Sequence, residues 1–324
     1  MVVLKKIIYI LIFIVLITIY INIDRNFEYG DNQQIKETSV IGGEDIKKYY
    51  NIKIGDSESS VINKIGLPDR KDLSEYGFTW YVYNRFEKNF IMIGIDNNKV
   101  VGLYSNSVDS EETEGIRIND NQELVRQNYK AIEYKKKGNT KFMIESDNQF
   151  DIILKNNKYI TIFYDLHEGN KVVSYQVIDK NTEDSTKDIY PEYSDELKES
   201  FELQIIDLAN SVREKNRLNR LDFSSKAKIS SIKHSEDMRN KNYFDHINKN
   251  NESPFDRMKK EKIKYSLAGE NIAAGQVSAI YAHEAWMNSL GHRKNILGDY
   301  ENIGVGVSFG GHYKIYYTQN FYSE

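Results

Sequence analysis

Two stretches of this chain repeat one another, and a repeat constrains a fold strongly because both copies must form the same supersecondary unit. The first copy reads "IKIGDSESSVINKIGLPDR" and then "FTWYVYNRFEKNFIMIGIDNNKVVGLYS". The second reads "IRINDNQELVRQNYKAIEY", then "KFMIESDNQFDIILKNNKYITIFYDL" and "KVVSYQVI". In each, a short leading strand meets a turn where Asp56 and Ser57, or Asn119 and Asp120, are expected to cap a helix. Val61, Ile62 and Ile65, like Leu124, Val125 and Tyr129, recur at helical spacing. Alternating, aromatic-rich strands follow, with hairpin signals at "DNNK" and "KNNK". The expectation is a helix packed on an antiparallel sheet, twice. Trp80, Tyr81, Tyr83, Phe86 and Phe90 suit a ligand groove, but strand aromatics are more often core and cross-strand pairs, and that structural reading is preferred.

The 324 residues exceed one typical domain and suggest two, and the absence of cysteine leaves packing alone to stabilise them. It also excludes thiolate nucleophiles, iron–sulfur clusters and sulfur-ligated metals. A net charge of -4 with both signs scattered along the chain argues against nucleic acid as a partner. After Lys5 and Lys6, "IIYILIFIVLITIYINI" is long enough to cross a bilayer, and its positive flank keeps the N-terminus cytoplasmic. Residues 1–23 therefore read as a cytoplasmic flank and transmembrane anchor, with everything beyond outside the cell. A cleaved secretion signal is the alternative, although "NIDRNFEYG" offers no small-x-small cleavage site. Residues 24–45 form a polar linker, 46–180 the duplicated module, and 181–196 a second linker rich in charge, Ser and Thr.

From Ser194 the pattern is helical, with Leu197, Phe201, Ile205, Leu208 and Val212 on one stripe. A second helix in "SSKAKISSIKHSEDMRNKN" places Ala227, Ser231, His234 and Met238 on one face, so His234 should point inward. "NYFDH" leaves His246 in a loop, and "SLAGENIAAG" sets Glu270 among small residues. Another helix should begin near Ser278, bury Ala279, Ala282, Trp286 and Leu290, and stop at Gly291 in a left-handed conformation, with His292 just beyond it. His283 and Glu284 are expected on that helix's surface, and His167 and His312 in turns. "HEAWMNSLGH" lacks the spacing of a zincin helix. "NIGVGVSFGGHYKIYYTQNFY" reads as a hairpin.

Six motifs, "HSEDM", "YFDH", "GENIAAG", "WMNSLGHRKNIL", "NIGVGV" and "YYTQNF", occur in an order that resembles bacterial CAP-superfamily domains, relatives of the cysteine-rich secretory, antigen 5 and pathogenesis-related proteins. The resemblance covers residues 197–324, and the preceding module looks like the CAP-associated N-terminal module of Gram-positive bacteria. It implies an α+β fold: a C-terminal α-β-α sandwich with a cleft above its sheet, after the duplicated module. In eukaryotic relatives that cleft holds two histidines and two glutamates, sometimes with zinc. His246 and Glu270 match, but Ser289 stands at the second glutamate and Tyr316 at the other histidine, so the full tetrad is absent. His234 and His292 are the residues expected to rebuild a polar cluster with them. Such a cluster suits a general base or a hydrogen-bonded cleft floor, and His246, His292 and Glu270 are the possible ligands of zinc or another divalent metal. The leading expectation is binding of a cell-wall, lipid or protein ligand through His234, His246, Glu270 and His292. The alternatives are a peptidase or cell-wall hydrolase using the same cleft, and a structural role in envelope or spore assembly.

Overall fold

The computed structural model describes residues 52–85, 89–108 and 113–324. The expected membrane anchor, the 24–45 linker and Phe86 lie outside them, and among the described residues no helix is long and apolar enough to cross a membrane.

The repeat is realised as α1 (Glu58–Ile65), β1 (Arg70–Leu73), β2 (Thr79–Tyr83), β3 (Ile91–Asp96) and β4 (Lys99–Ser105), then α2 (Gln122–Asn128) and β5 (Tyr134–Lys137) to β9 (Lys171–Asp179), in which β6 is Thr140–Met143, β7 Phe150–Lys155 and β8 Lys158–Asp165. Ser57 caps α1 as expected, but the second cap is Asn121 rather than Asn119 or Asp120. The reason is local: Asn119 takes a positive φ of 75° and the Asp120 carboxylate accepts from the Arg117 N–H, closing the preceding turn. Asp56 does the same for Lys53 in the first copy. The leading strands shrink to single bridges, Ser57 with Lys99 and Asn121 with Lys171. Both predicted hairpins form, each with two consecutive left-handed asparagines, Asn97–Asn98 and Asn156–Asn157.

Instead of two sheets there is one, in the order β1-β2-β3-β4-β9-β8-β7, with β5–β6 a separate hairpin. The copies join antiparallel through their last strands, from Gly102 opposite Ile178 to Ser105 opposite Tyr175. That pairing removes two exposed edges at once. On one face α1 packs Val61 and Ile65 against Tyr81, Tyr83 and Ile93, and α2 packs Val125 against Ile153, Ile160 and Tyr164. The other face presents Trp80, Val82, Phe90, Tyr104, Phe150 and Phe163 to the C-terminal half.

That half follows α3 (Lys180–Ser185) and comprises α4 (Asp195–Lys215), β10 (Asp222–Phe223), α5 (Ser225–Lys241), α6 (Pro254–Lys260), β11 (Leu267–Ala274), α7 (Ala279–Met287), α8 (Leu290–Ile296), β12 (Asn302–Phe309) and β13 (Ile315–Ser323). The sheet order is β10-β12-β13-β11. Leu197, Phe201 and Ile205 of α4 and Ala279, Ala282 and Trp286 of α7 bury against Val305, Val307, Tyr317 and Phe321 on one face. On the other, α5 lies directly on β12: a Cβ on Gly304 or Gly306 would come within 2.1 Å of its backbone. Ser231 and Ser235 donate hydroxyl hydrogen bonds to the carbonyls of those two glycines. This is the expected α-β-α sandwich, and "NIGVGV" is the strand that admits the helix.

The predicted single helix after Ser278 is two. It ends at Asn288, Ser289 starts α8, and Gly291 lies inside α8 with Leu290 exposed. His292 therefore sits on a helix rather than beyond one. His283 and Glu284, expected on the surface, are buried, because α7 is enclosed on both sides. Its Ala282 and Trp286 face the C-terminal sheet, while Ile280 and Tyr281 pack against the seven-stranded sheet. Glu284 accepts from Ser174 at 2.5 Å and from Tyr104 at 3.3 Å. Arg293 binds Asp165 at 2.7 Å, and Asp207 of α4 binds Arg70 at 2.6 Å, so ion pairs flank the apolar interface.

Candidate functional site

Four segments distant in sequence converge beside β11. The αL cap Asn242 ends α5 and turns the chain into the loop carrying His246. That loop runs to Ser253, whose capping box starts α6 with Pro254 in its first turn. α6 then presents Arg257 to the Glu270 carboxylate on β11, at 2.6 Å from Oε2. His246 Nδ1 lies 2.9 Å from Oε1, and His234 Nε2 is 3.9 Å from the same oxygen. Arg257 also donates to the carbonyls of His246 and Glu252, so one guanidinium fixes both the loop and the carboxylate.

Electrostatics sets the protonation pattern. Burial alone would raise Glu270, but Arg257, His234 and His246 overcome it and hold the carboxyl at about 2. A carboxylate can only accept, so His246 Nδ1 carries the hydrogen and points the ring's other nitrogen, Nε2, away from Glu270. His234, fully buried, is lowered to about 4 by desolvation. Its Nε2 faces the Asp245 carbonyl at 3.1 Å and so donates, while Nδ1 finds no partner among the described residues. His292 is lowered to about 4, first by burial and then by electrostatic interaction with His246. α8 is tied to β11 by amides: Asn271 donates to the His292 carbonyl, and Asn295 to Asn271 and to the Glu270 carbonyl.

The structure thus brings His234, His246 and Glu270 together, and His292 lies on α8, its carbonyl accepting from Asn271 next to Glu270. Arg257 was not anticipated, because a search for histidines and carboxylates passes over an arginine in "SPFDRM". Asn271, Asn295 and Gln319 lay within the recognised motifs without being singled out. Ser289 and Tyr316, at the two tetrad positions that differ, are both buried.

The donor set does not fit zinc or another divalent cation. Both Glu270 oxygens are engaged, one by a guanidinium, and His234 Nε2 is committed to a carbonyl. Among the described residues no group of three His, Asp or Glu side chains is arranged to hold a metal. The His246 side chain, 17% exposed, reaches solvent over the Arg257–Glu270 ion pair.

Comparison with known proteins gives two family matches: the CAP-associated N-terminal model over residues 54–189, and the cysteine-rich secretory protein family over residues 206–321. The membrane protein YlbC of Bacillus subtilis strain 168 is 32% identical over 291 residues, 83% of this chain and 82% of that protein. YkwD of the same organism is 45% identical over 108 residues, 33% of this chain and 42% of its own length. Among solved structures, an extracellular protein containing a SCP domain from Bacillus anthracis strain Ames superposes with a TM-score of 0.72 at 25% identity, covering 92% of this chain and all 100% of that one. A cysteine-rich secretory protein from Staphylococcus aureus gives 0.65 at 16% identity, covering 84% and 94%, a likeness of fold.

Proposed function

We propose a function from one premise: the chain belongs to the cysteine-rich secretory protein (CAP) family, its CAP domain preceded by a CAP-associated N-terminal module. It acts outside the cell as a membrane-anchored binding protein, holding a cell-envelope, lipid or protein ligand against His246 and His292. The apolar run at residues 7–23 and the membrane relative support the anchor.

The observation that carries binding over turnover is the clamp on Glu270. A general base works best with a pKa near the operating pH, and a carboxyl held at about 2 by Arg257 is far from it. Glu270 instead fixes the tautomer and orientation of His246, offering a neutral acceptor at Nε2 with little reorganisation. The test is retention of the full-length protein on isolated wall, lipid and protein fractions of the envelope. His246→Ala should reduce retention on one fraction at least tenfold, whereas the turn variant His167→Ala should not. Equal retention of both would remove the cluster from the account.

One feature favours hydrolysis as the second reading. A carboxylate-oriented imidazole is also how a histidine is prepared as a base for water or a hydroxyl. In that case His246, not Glu270, takes the proton. Turnover of peptide or wall substrates that disappears in His246→Ala would establish it, and absence of turnover on such panels leaves binding.

A further inference from the structure

A second candidate site lies away from the histidines, between the N-terminal module and the start of α7. A narrow slot of about 70 Å³ is lined by Phe142, Ile144, Phe150, Ile152, Val277 and Tyr281. It adjoins a wider groove of about 610 Å³ along residues 73–77 and 185–194. Glu75, Tyr76, Thr186 and Asp188 line both and so mark the junction.

The charges there are unbalanced. Lys135 also lines the slot, but its ammonium is bonded to Glu183 at 2.7 Å, and Lys137 is bonded to Glu183 and Thr186. Tyr76 donates to Glu183 as well. Glu75, by contrast, accepts only from neutral N–H groups: its own backbone, Gln176 at 3.1 Å and Trp80 at 3.5 Å. Asp188 accepts only from the backbone of Ile189 and Tyr190. Among the described residues no cation pairs with either carboxylate, and the groove's Lys187 and Lys314 are exposed. Desolvation raises the Glu75 carboxyl, as expected of a half-buried acid without a counter-charge.

We infer that this site binds an alkylammonium amphiphile: an unbranched apolar chain inserts among Phe142, Phe150, Ile152 and Val277, and its primary ammonium rests at the junction against Glu75 and Asp188. An apolar recess with a few convergent polar groups is the usual form of a small-molecule site. The carboxylates of Glu75 and Asp188, with no cation paired to them among the described residues, select the sign of the head group.

The test titrates the full-length protein, in phosphatidylcholine nanodiscs, with n-hexylammonium, 1-hexanol and hexanoate. Tryptophan fluorescence is the readout, since Trp80 is one of two tryptophans and touches Glu75. Hexylammonium should bind saturably, at least tenfold tighter than hexanol, with no hexanoate binding. Each methylene from butyl to octyl should tighten binding about fourfold until the slot is full. Glu75→Gln should weaken hexylammonium at least tenfold and leave hexanol unchanged. Should that variant misfold, Asp188→Asn, at an exposed position, should weaken hexylammonium at least threefold. Equal affinity for the amine and the alcohol, no saturable signal with any probe, or unchanged amine affinity in the folded variants would overturn the inference.

Discussion

Replacing Arg257 by Met keeps the aliphatic stem and removes only the charged fork. In the native protein that fork lies 2.6 Å from Glu270, with the two side chains 7% and 1% exposed. Removing one partner of a buried pair costs about 3–5 kcal/mol, because the remaining charge is left uncompensated. The titration of Glu270 gives a second route to the size. Its carboxyl is held at about 2 against an ordinary 4.5, which corresponds to about 3 kcal/mol of preferential stabilisation of the folded carboxylate. A depressed acid contributes stability that is present above pH 4.5 and lost as the pH falls towards 2. Urea unfolding of Arg257→Met at pH 7 should therefore show a loss of about 3–5 kcal/mol. Its acid limb below pH 4.5 should become shallower, since Glu270 loses the largest of the charges that favour its ionisation. Adding Glu270→Gln should restore part of the loss, as the orphaned charge goes with it. A loss under about 1 kcal/mol with an unchanged acid limb would refute the clamp.

Three further outcomes follow from the same geometry. His234 is fully buried and lowered from 6.5 to about 4, so the unfolded chain takes up a proton before the native state does, and stability should fall by about 3 kcal/mol between those pH values; His234→Gln should make that slope shallower in pH-resolved unfolding. Gly306→Ala would force a methyl to 2.1 Å from the Ile232 nitrogen, and chemical denaturation should report a loss of at least about 3 kcal/mol as α5 is pushed off β12. Arg293→Ala removes the bonds from α8 to Asp165 and Glu168, and calorimetry should show the two halves unfolding less cooperatively, at a cost of about 1–3 kcal/mol.

What the sequence disclosed was local or periodic. "DNNK" and "KNNK" name their hairpins because paired asparagines supply two left-handed residues, and Ser57 and Ser194 cap their helices at the positions the apolar stripes imply. What it withheld depended on partners distant along the chain. The fusion of the repeats into one sheet rests on β4 meeting β9, and no pattern within either strand announces it. The periodicity of "AIYAHEAWM" marks one buried face, but α7 has two, and the second is created by the N-terminal module. His283 and Glu284 are buried by that second contact. His234, His246 and Glu270 could be nominated through motifs, yet the residue that sets their charge states, Arg257, becomes visible only when α6 folds over β11.

The account turns on His246 being held by a carboxylate and turned outward. The most direct measurement is the imidazole ¹⁵N spectrum of the full-length protein at pH 9, with His246 assigned by its absence in His246→Ala. The account predicts a hydrogen on Nδ1 and a bare Nε2, a pattern that disappears in Glu270→Gln. A ring protonated at Nε2, or one indifferent to Glu270, would contradict it.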